Sequence, residues 1–214
     1  MQFIDVHTHK EIIDTSVVAI KNKYPNNIRF EQPFSIGIHP WFIKKECVKK
    51  ELLLIENQLQ NEQCFALGEC GLDTICATDF QLQKNVFKTQ IRLSEKHQKP
   101  LLIHCVKAFQ EIIALKKELK PLQTWILHGF NKNKQTAESL LKNGFLLSFG
   151  NSLLYKESLQ EIIFNLPINK FFLETDDTSV TIQEIYLKVA EIKKIKTIDL
   201  QEKIYTNFNI IFKK

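Results

Sequence analysis

The chain has 214 residues, 44% of them hydrophobic, with only six glycines and six prolines; it can bury a sizeable core and its composition excludes low-complexity sequence. Apolar runs such as 145–149 and 162–164 fall far short of the ~20 residues that span a bilayer, and the start Met1-Gln2-Phe3-Ile4-Asp5 offers no basic, apolar leader, so the expected compartment is the cytoplasm. The net charge of +5 comes from lysines dispersed along the chain, which fits a solvated surface and equally a polyanionic partner.

Five cysteines, Cys47, Cys64, Cys70, Cys76 and Cys105, are odd in number and form no CxxC pair. That argues against a disulfide framework and against a structural zinc knuckle. No internal repeat or linker divides the chain, so one domain spanning 1–214 is expected.

Short runs rich in β-branched and aromatic residues alternate with longer amphipathic stretches, the pattern of a parallel sheet with crossover helices. Eight strands are predicted at 3–7, 16–21, 34–38, 64–69, 101–104, 124–128, 145–149 and 171–175, a number suited to a TIM-type barrel. Helices are predicted near 43–62, 79–98, 107–119, 132–143, 157–165, 181–194 and 197–212, with Gly144 and Pro167 as stops. Residues 10–15 and 22–33 are too short for full crossover helices, and Pro25, Asn26, Asn27 and Pro33 favour turns in the second. The expected fold is therefore an α/β, TIM-type barrel, distorted by shortened first crossovers.

Polar residues fall where these strands end. The first strand finishes Asp5-Val6-His7-Thr8-His9; side chains two apart project to one side, so both histidines can reach one metal ion. The third finishes Gly37-Ile38-His39-Pro40-Trp41, where His39 reads as a substrate contact or as part of a structural turn. The fourth finishes Gly68-Glu69-Cys70-Gly71-Leu72-Asp73, a carboxylate among apolar residues, flanked by glycines that admit close backbone approach. His104 ends the fifth, His128 the sixth, and Glu174-Thr175-Asp176 the eighth. Each alone could be a satisfied core histidine or a capping carboxylate. The endings of the first, fourth, fifth, sixth and eighth strands, five at the face where barrels carry their active sites, together point to metal chemistry. Asp73 and Asp177 read as partners orienting the ligands or as helix caps; His97 reads as exposed, and Cys70 and Cys105 as packing.

In this order, Asp5-Val6-His7-Thr8-His9, Gly37-Ile38-His39-Pro40, Gly68-Glu69-Cys70-Gly71-Leu72-Asp73, Pro100 to Cys105, His128-Gly129-Phe130, Ser148-Phe149-Gly150 and Leu173-Glu174-Thr175-Asp176 resemble the TatD-type metal-dependent hydrolases, a branch of the amidohydrolase superfamily. The resemblance spans nearly the whole chain. It implies a distorted (β/α) barrel, two divalent metal ions and phosphodiester hydrolysis with DNA as the substrate. It also implies that His7, His9 and Asp176 hold one ion, His104 and His128 the other, and Glu69 both. No lysine ends the fourth strand, so the carbamylated lysine of other relatives is absent.

The catalytic pair implied is Asp176, as proton acceptor from the attacking water, with Glu69. Imidazole and carboxylate ligands suit zinc or manganese, with magnesium also possible. His39 and Lys107 are the expected substrate contacts. Two departures from the family pattern bear on substrate: Val106-Lys107 stands where many members carry an arginine, exchanging a bidentate phosphate contact for a point charge, and Thr178-Ser179-Val180 leads almost directly into a helix where others have a long loop. The alternatives are metal-dependent hydrolysis of another ester or amide, such as deacylation of aminoacyl-tRNA, and a non-catalytic binding barrel. No membrane association or obligate protein partner is expected.

Overall fold

A computed structural model describes residues 1–27 and 32–213. In chain order the strands are β1 (Phe3–Thr8), β2 (Val17–Lys23), β3 (Phe34–Ile36), β4 (Cys64–Asp73), β5 (Leu101–Val106), β6 (Trp125–Leu127), β7 (Phe145–Phe149) and β8 (Phe171–Leu173). The helices are α1 (Val48–Gln58), α2 (Phe80–His97), α3 (Phe109–Leu119), α4 (Lys134–Lys142), α5 (Glu157–Asn165), α6 (Ile182–Lys193) and α7 (Thr197–Phe212). Parallel strands that follow one another in chain order, with a helix after most of them, define the TIM-barrel type.

The chain divides into two compact units, Met1–Lys21 with His128–Lys214, and Asn22–Leu127. In the first, β1 pairs with β2 in the register Phe3↔Val17 and Asp5↔Ala19, β7 with β8 as Leu147↔Phe171 and Phe149↔Leu173, and Thr8 bridges Asp176. Its core holds Ile4, Val6, Phe149, Phe171, Phe172 and Ile185, all fully buried. Tyr186 of α6 ties β1 down with one hydroxyl, which accepts from Ile4 N–H at 3.1 Å and donates to Ile4 C=O at 3.2 Å. The helix starts on a capping box in which Thr181 and Glu184 satisfy each other's backbone amides.

In the second unit β3 pairs with β4, β4 with β5 and β5 with β6, all in parallel. Two buried glutamines of α2 fix the strand ends. Gln90 accepts from Ile38 N–H at 2.7 Å and donates to Ile38 C=O at 3.2 Å. Gln83 does the same for Asp73, at 2.9 and 3.0 Å. Polar residues on the inner face of a helix thus complete backbone bonds that the short strands leave open.

Two element boundaries differ from expectation. Helix α1 begins at Val48 rather than near 43, because Pro40 opens a separate helical turn over Pro40–Phe42. Strand β4 runs on to Asp73, because Gly71, Leu72 and Asp73 stay in register with His104, Cys105 and Val106 of β5; the glycines there make a close approach and do not end the strand. No helix occurs at 10–15, while 28–31, within the expected short crossover at 22–33, lie outside the described residues.

The approach at Gly71 carries a prediction. Its φ is +147°, and a Cβ there would sit 2.0 Å from the His104 carbonyl oxygen. Gly71→Ala must strain both backbones, at a cost on the order of 3 kcal/mol or more. Chemical denaturation of the variant measures it; a change below about 0.5 kcal/mol would contradict the close β4–β5 contact.

Candidate metal sites

In the unit holding β1 and β8, His7 is fully buried and His9 partly exposed. The strand alternation turns both toward Asp176, with His7 Nε2 and His9 Nε2 at 3.7 and 3.5 Å from its Oδ1. Asp176 sits just past β8 in a left-handed conformation, φ +53°. Its backbone is held there by N–H donation to His7 C=O at 3.0 Å and by acceptance from His9 N–H at 3.1 Å. The His128 ring lies 4.3 Å from that of His7. Ligand atoms of His128, Glu174 and Asp176 all fall within 4.8 Å of one another.

Glu174 is fully buried, and it orients His128. Its Oε1 accepts from Gly129 N–H at 2.6 Å and lies 3.4 Å from His128 Nδ1. Burial acts to raise its pKa, but the hydrogen bond and charge of His128, the charge of His7 and a bond from Ser148 outweigh it and hold the carboxyl below its ordinary value. Asp5 has a different task. It accepts from Thr175 N–H at 3.1 Å and Thr175 Oγ1 at 2.6 Å, and so anchors the turn that carries Asp176. Burial pushes its pKa up to about 7 against those bonds.

In the unit holding β4 and β5, Glu69 is 4% exposed. Asn22 Oδ1 accepts its backbone N–H at 2.9 Å. His104 Nδ1 lies 2.9 Å from Glu69 Oε1, and His104 Nε2 lies 3.2 Å from Asp73 Oδ2. Burial alone would raise Asp73, yet bonds from Trp41, Ile75 N–H and His104 prevail and keep it below its usual range. With Asp73 ionised and the ring neutral, His104 Nε2–H donates to Asp73 Oδ2, and the Nδ1 lone pair faces Glu69 Oε1. Facing acceptors at 2.9 Å are reconciled by a proton, on the ring or on the Glu69 carboxyl, or by a bound cation between them. One imidazole nitrogen and one carboxylate oxygen, with a carboxylate behind the imidazole, are groups that could take part in holding a metal ion.

His39 belongs to the same cluster. Its Nδ1 accepts Trp41 N–H at 3.1 Å, so in the neutral ring Nε2 carries the proton and donates to Glu69 Oε1, 3.2 Å away. Only 4% of the residue is exposed, and it lies against Glu69. Lys107 is exposed just past β5, with φ +52°.

Residues 1–213 match the TatD related DNase family. The chain belongs to that family. A metal-dependent hydrolase of uncharacterised function from Buchnera aphidicola subsp. Baizongia pistaciae is 35% identical over 66% of this chain and 54% of its own length. A putative deoxyribonuclease, a TATDN1 homologue from Vairimorpha ceranae, is 24% identical over 74% and 57%. This TatD-family chain thus spans little more than half the length of those relatives. In fold it is similar to the crystal structure of YJJV, a TatD homologue from Escherichia coli K12, with a TM-score of 0.81 at 20% identity over 99% and 98% of the two chains.

Several roles in this TatD-family chain lie outside the expected set. Glu174 orients His128, and the only hint in sequence is a buried carboxylate two residues before Asp176. Trp41 donates its indole N–H to Asp73 Oδ2 at 2.6 Å, and Asn22 holds Glu69 from a segment without polar patterning. Asp73 orients His104 and caps no helix, since Asp79 caps α2; Asp177 is exposed and Thr181 caps α6. His97, expected to be exposed, is 14% exposed and lies 3.5 Å from Glu56 Oε1, because α1 packs beside the end of α2. Cys70 is fully buried, and burial pushes its thiol well above the ordinary range, which suits packing.

Proposed function

We propose that this TatD-family protein is a divalent-metal-dependent hydrolase that cleaves phosphodiester bonds, with DNA as its substrate. The observation that carries the reading is the Asp73–His104–Glu69 arrangement together with His39: ligand atoms of His39, Glu69 and His104 lie close enough to hold one cation. The family's motif order supports two ions, with His7, His9 and Asp176 holding one, His104 and His128 the other, and Glu69 serving both. Zinc and manganese suit the donors best, with magnesium as a further candidate. The five cysteines form no CxxC pair, and the compartment proposed is the cytoplasm. No helix among the described residues is long and apolar enough to cross a membrane.

A bound divalent ion supplies the Lewis acidity that makes a water nucleophilic near neutral pH. The chain's own groups do the rest. Asp176, whose side chain is 40% exposed, takes the proton of the attacking water. Glu174 and Asp73 hold His128 and His104 in one ring orientation each. His39 donates to Glu69 and fixes which way that carboxylate points. Lys107 offers an exposed ammonium to a phosphate oxygen as a point charge.

Metal analysis combined with assays on single-stranded DNA, a model phosphodiester and an aminoacyl ester tests the reading. Chelation is expected to abolish phosphodiester cleavage and added Zn2+ or Mn2+ to restore it. Cleavage of the ester alone would favour the second reading, to which the short Thr178–Val180 connection lends support. Lys107→Ala is expected to raise KM for the phosphodiester roughly 5- to 10-fold, the worth of about 1 kcal/mol for one charge-assisted contact, with metal content unchanged. An unaltered KM would remove Lys107 from the substrate contacts.

A further inference from the structure

Beside His39, within the Asn22–Leu127 unit, lies a pocket of about 570 Å³ lined by Tyr24, Ile38, Trp41, Phe42 and Lys44, among others. That volume is within the range of small-ligand sites. Three of these side chains are aromatic. Trp41 and Phe42 stay 56% and 51% exposed, although large aromatic rings are costly to leave in water.

The rings are held in place. The Trp41 indole is pinned by its bond to Asp73 Oδ2. Phe42 meets Tyr24 edge to face, with centroids 5.2 Å apart at 90°. Both exposed rings adjoin the imidazole cluster: Trp41 lies 5.0 Å from His39 and 5.8 Å from His104, and Phe42 lies 5.5 Å from His39. An exposed lysine, Lys44, and the carboxylate of Glu51 also line the pocket.

We propose that this pocket is a nucleobase subsite, in which a base of a single-stranded nucleic acid stacks on Trp41 and Phe42 while its phosphate lies at the Glu69–His104 cluster. This rests on the phosphodiesterase reading for the phosphate's position and adds to it the recognition of a base. The occupant follows from the chemistry: rigid, solvent-facing rings a few ångströms from a phosphate site offer a planar π-face what it needs, and stacking of this kind tolerates any base. A planar base gains ring–ring contact in addition to the area it buries, which an aliphatic chain does not.

The test uses the metal-loaded protein. The chain's other tryptophan, Trp125, is fully buried, so a Trp125→Phe variant leaves Trp41 as the fluorescent reporter. Deoxyadenosine monophosphate should quench Trp41 and saturate, whereas deoxyribose 5-phosphate, which lacks a base, should bind roughly 5- to 150-fold more weakly, the range for one stacked base. Phe42→Ala should lower affinity for the nucleotide and leave that for the sugar phosphate unchanged. Equal binding of the two ligands, or a Phe42→Ala effect below twofold, would overturn the subsite. If no phosphodiester is hydrolysed but the base-dependent binding persists, the subsite stands and the catalytic reading falls. If oligonucleotides are cleaved equally well with an abasic nucleotide at every position, the subsite falls and the catalytic reading stands.

Discussion

Replacing Glu69 with alanine is expected to abolish chelator-sensitive phosphodiester hydrolysis and to lower metal affinity by more than the ~10–100-fold that follows loss of an outer partner of a ligand. The reason is local. Glu69 Oε1 is the oxygen that His104 Nδ1 faces at 2.9 Å and that His39 Nε2 reaches at 3.2 Å; without it the two imidazoles lose the one carboxylate that both face, and Asp73 remains only on the other ring nitrogen of His104. The effect is visible without any substrate. Metal at ~100 times its Kd adds about 2.7 kcal/mol to the stability of a protein that binds it only when folded. In Glu69→Ala that increment should fall close to zero, read as the difference between melting temperatures with metal and with chelator. A variant that kept both its metal-induced stabilisation and its activity would show that Glu69 is not a ligand.

The second large effect is expected at Glu174. Glu174→Ala removes the acceptor of Gly129 N–H and the carboxylate beside His128, from a site with no access to water. Breaking a buried pair from one side costs about 3–5 kcal/mol, so urea denaturation should show a loss of that order. Metal affinity should fall about 10–100-fold as His128 loses its orientation. Glu174→Gln separates the two roles, since its amide oxygen still accepts from Gly129 and the stability loss should be smaller, while the charge beside His128 is gone. The pH dependence follows from the direction of the shift. Glu174 is held below its ordinary carboxylate value, so its contribution is present at and above that value and disappears as pH falls through the lower folded value. The stability gap between the parent and Glu174→Gln should therefore be constant through neutral pH and narrow only in acid. A gap that stayed constant in acid would show that Glu174 is not ionised in the folded chain.

Much of this was legible in the residues themselves. Strand and helix order follows from hydrophobic periodicity, which is local, and the caps at Asp79 and Thr181 are short-range signals that boundaries obey. His7, His9, Glu69, His104, His128 and Asp176 stand out because polar side chains at the ends of otherwise apolar strands are costly unless something satisfies them. The two-residue spacing of His7 and His9 already implies a shared direction, and both rings turn toward Asp176.

What the tertiary structure alone decided is which carboxylate serves which imidazole. Asp73 reaches His104 across 31 residues and Glu174 reaches His128 across 46, pairings fixed by strand register and by where β4 and β8 stop, neither of which periodicity encodes. The same holds for the protons. His39 reads in sequence as a substrate contact or a turn, but Trp41 N–H occupies its Nδ1 and so directs Nε2 at Glu69. His97 reads as exposed on its own helix and is covered by α1. Side chains that act through a neighbour leave no periodic trace, because their partner is chosen by packing between segments far apart in the chain. Residue type at a strand end therefore names the candidate ligands, and only the folded backbone fixes the hydrogen bonds that orient them.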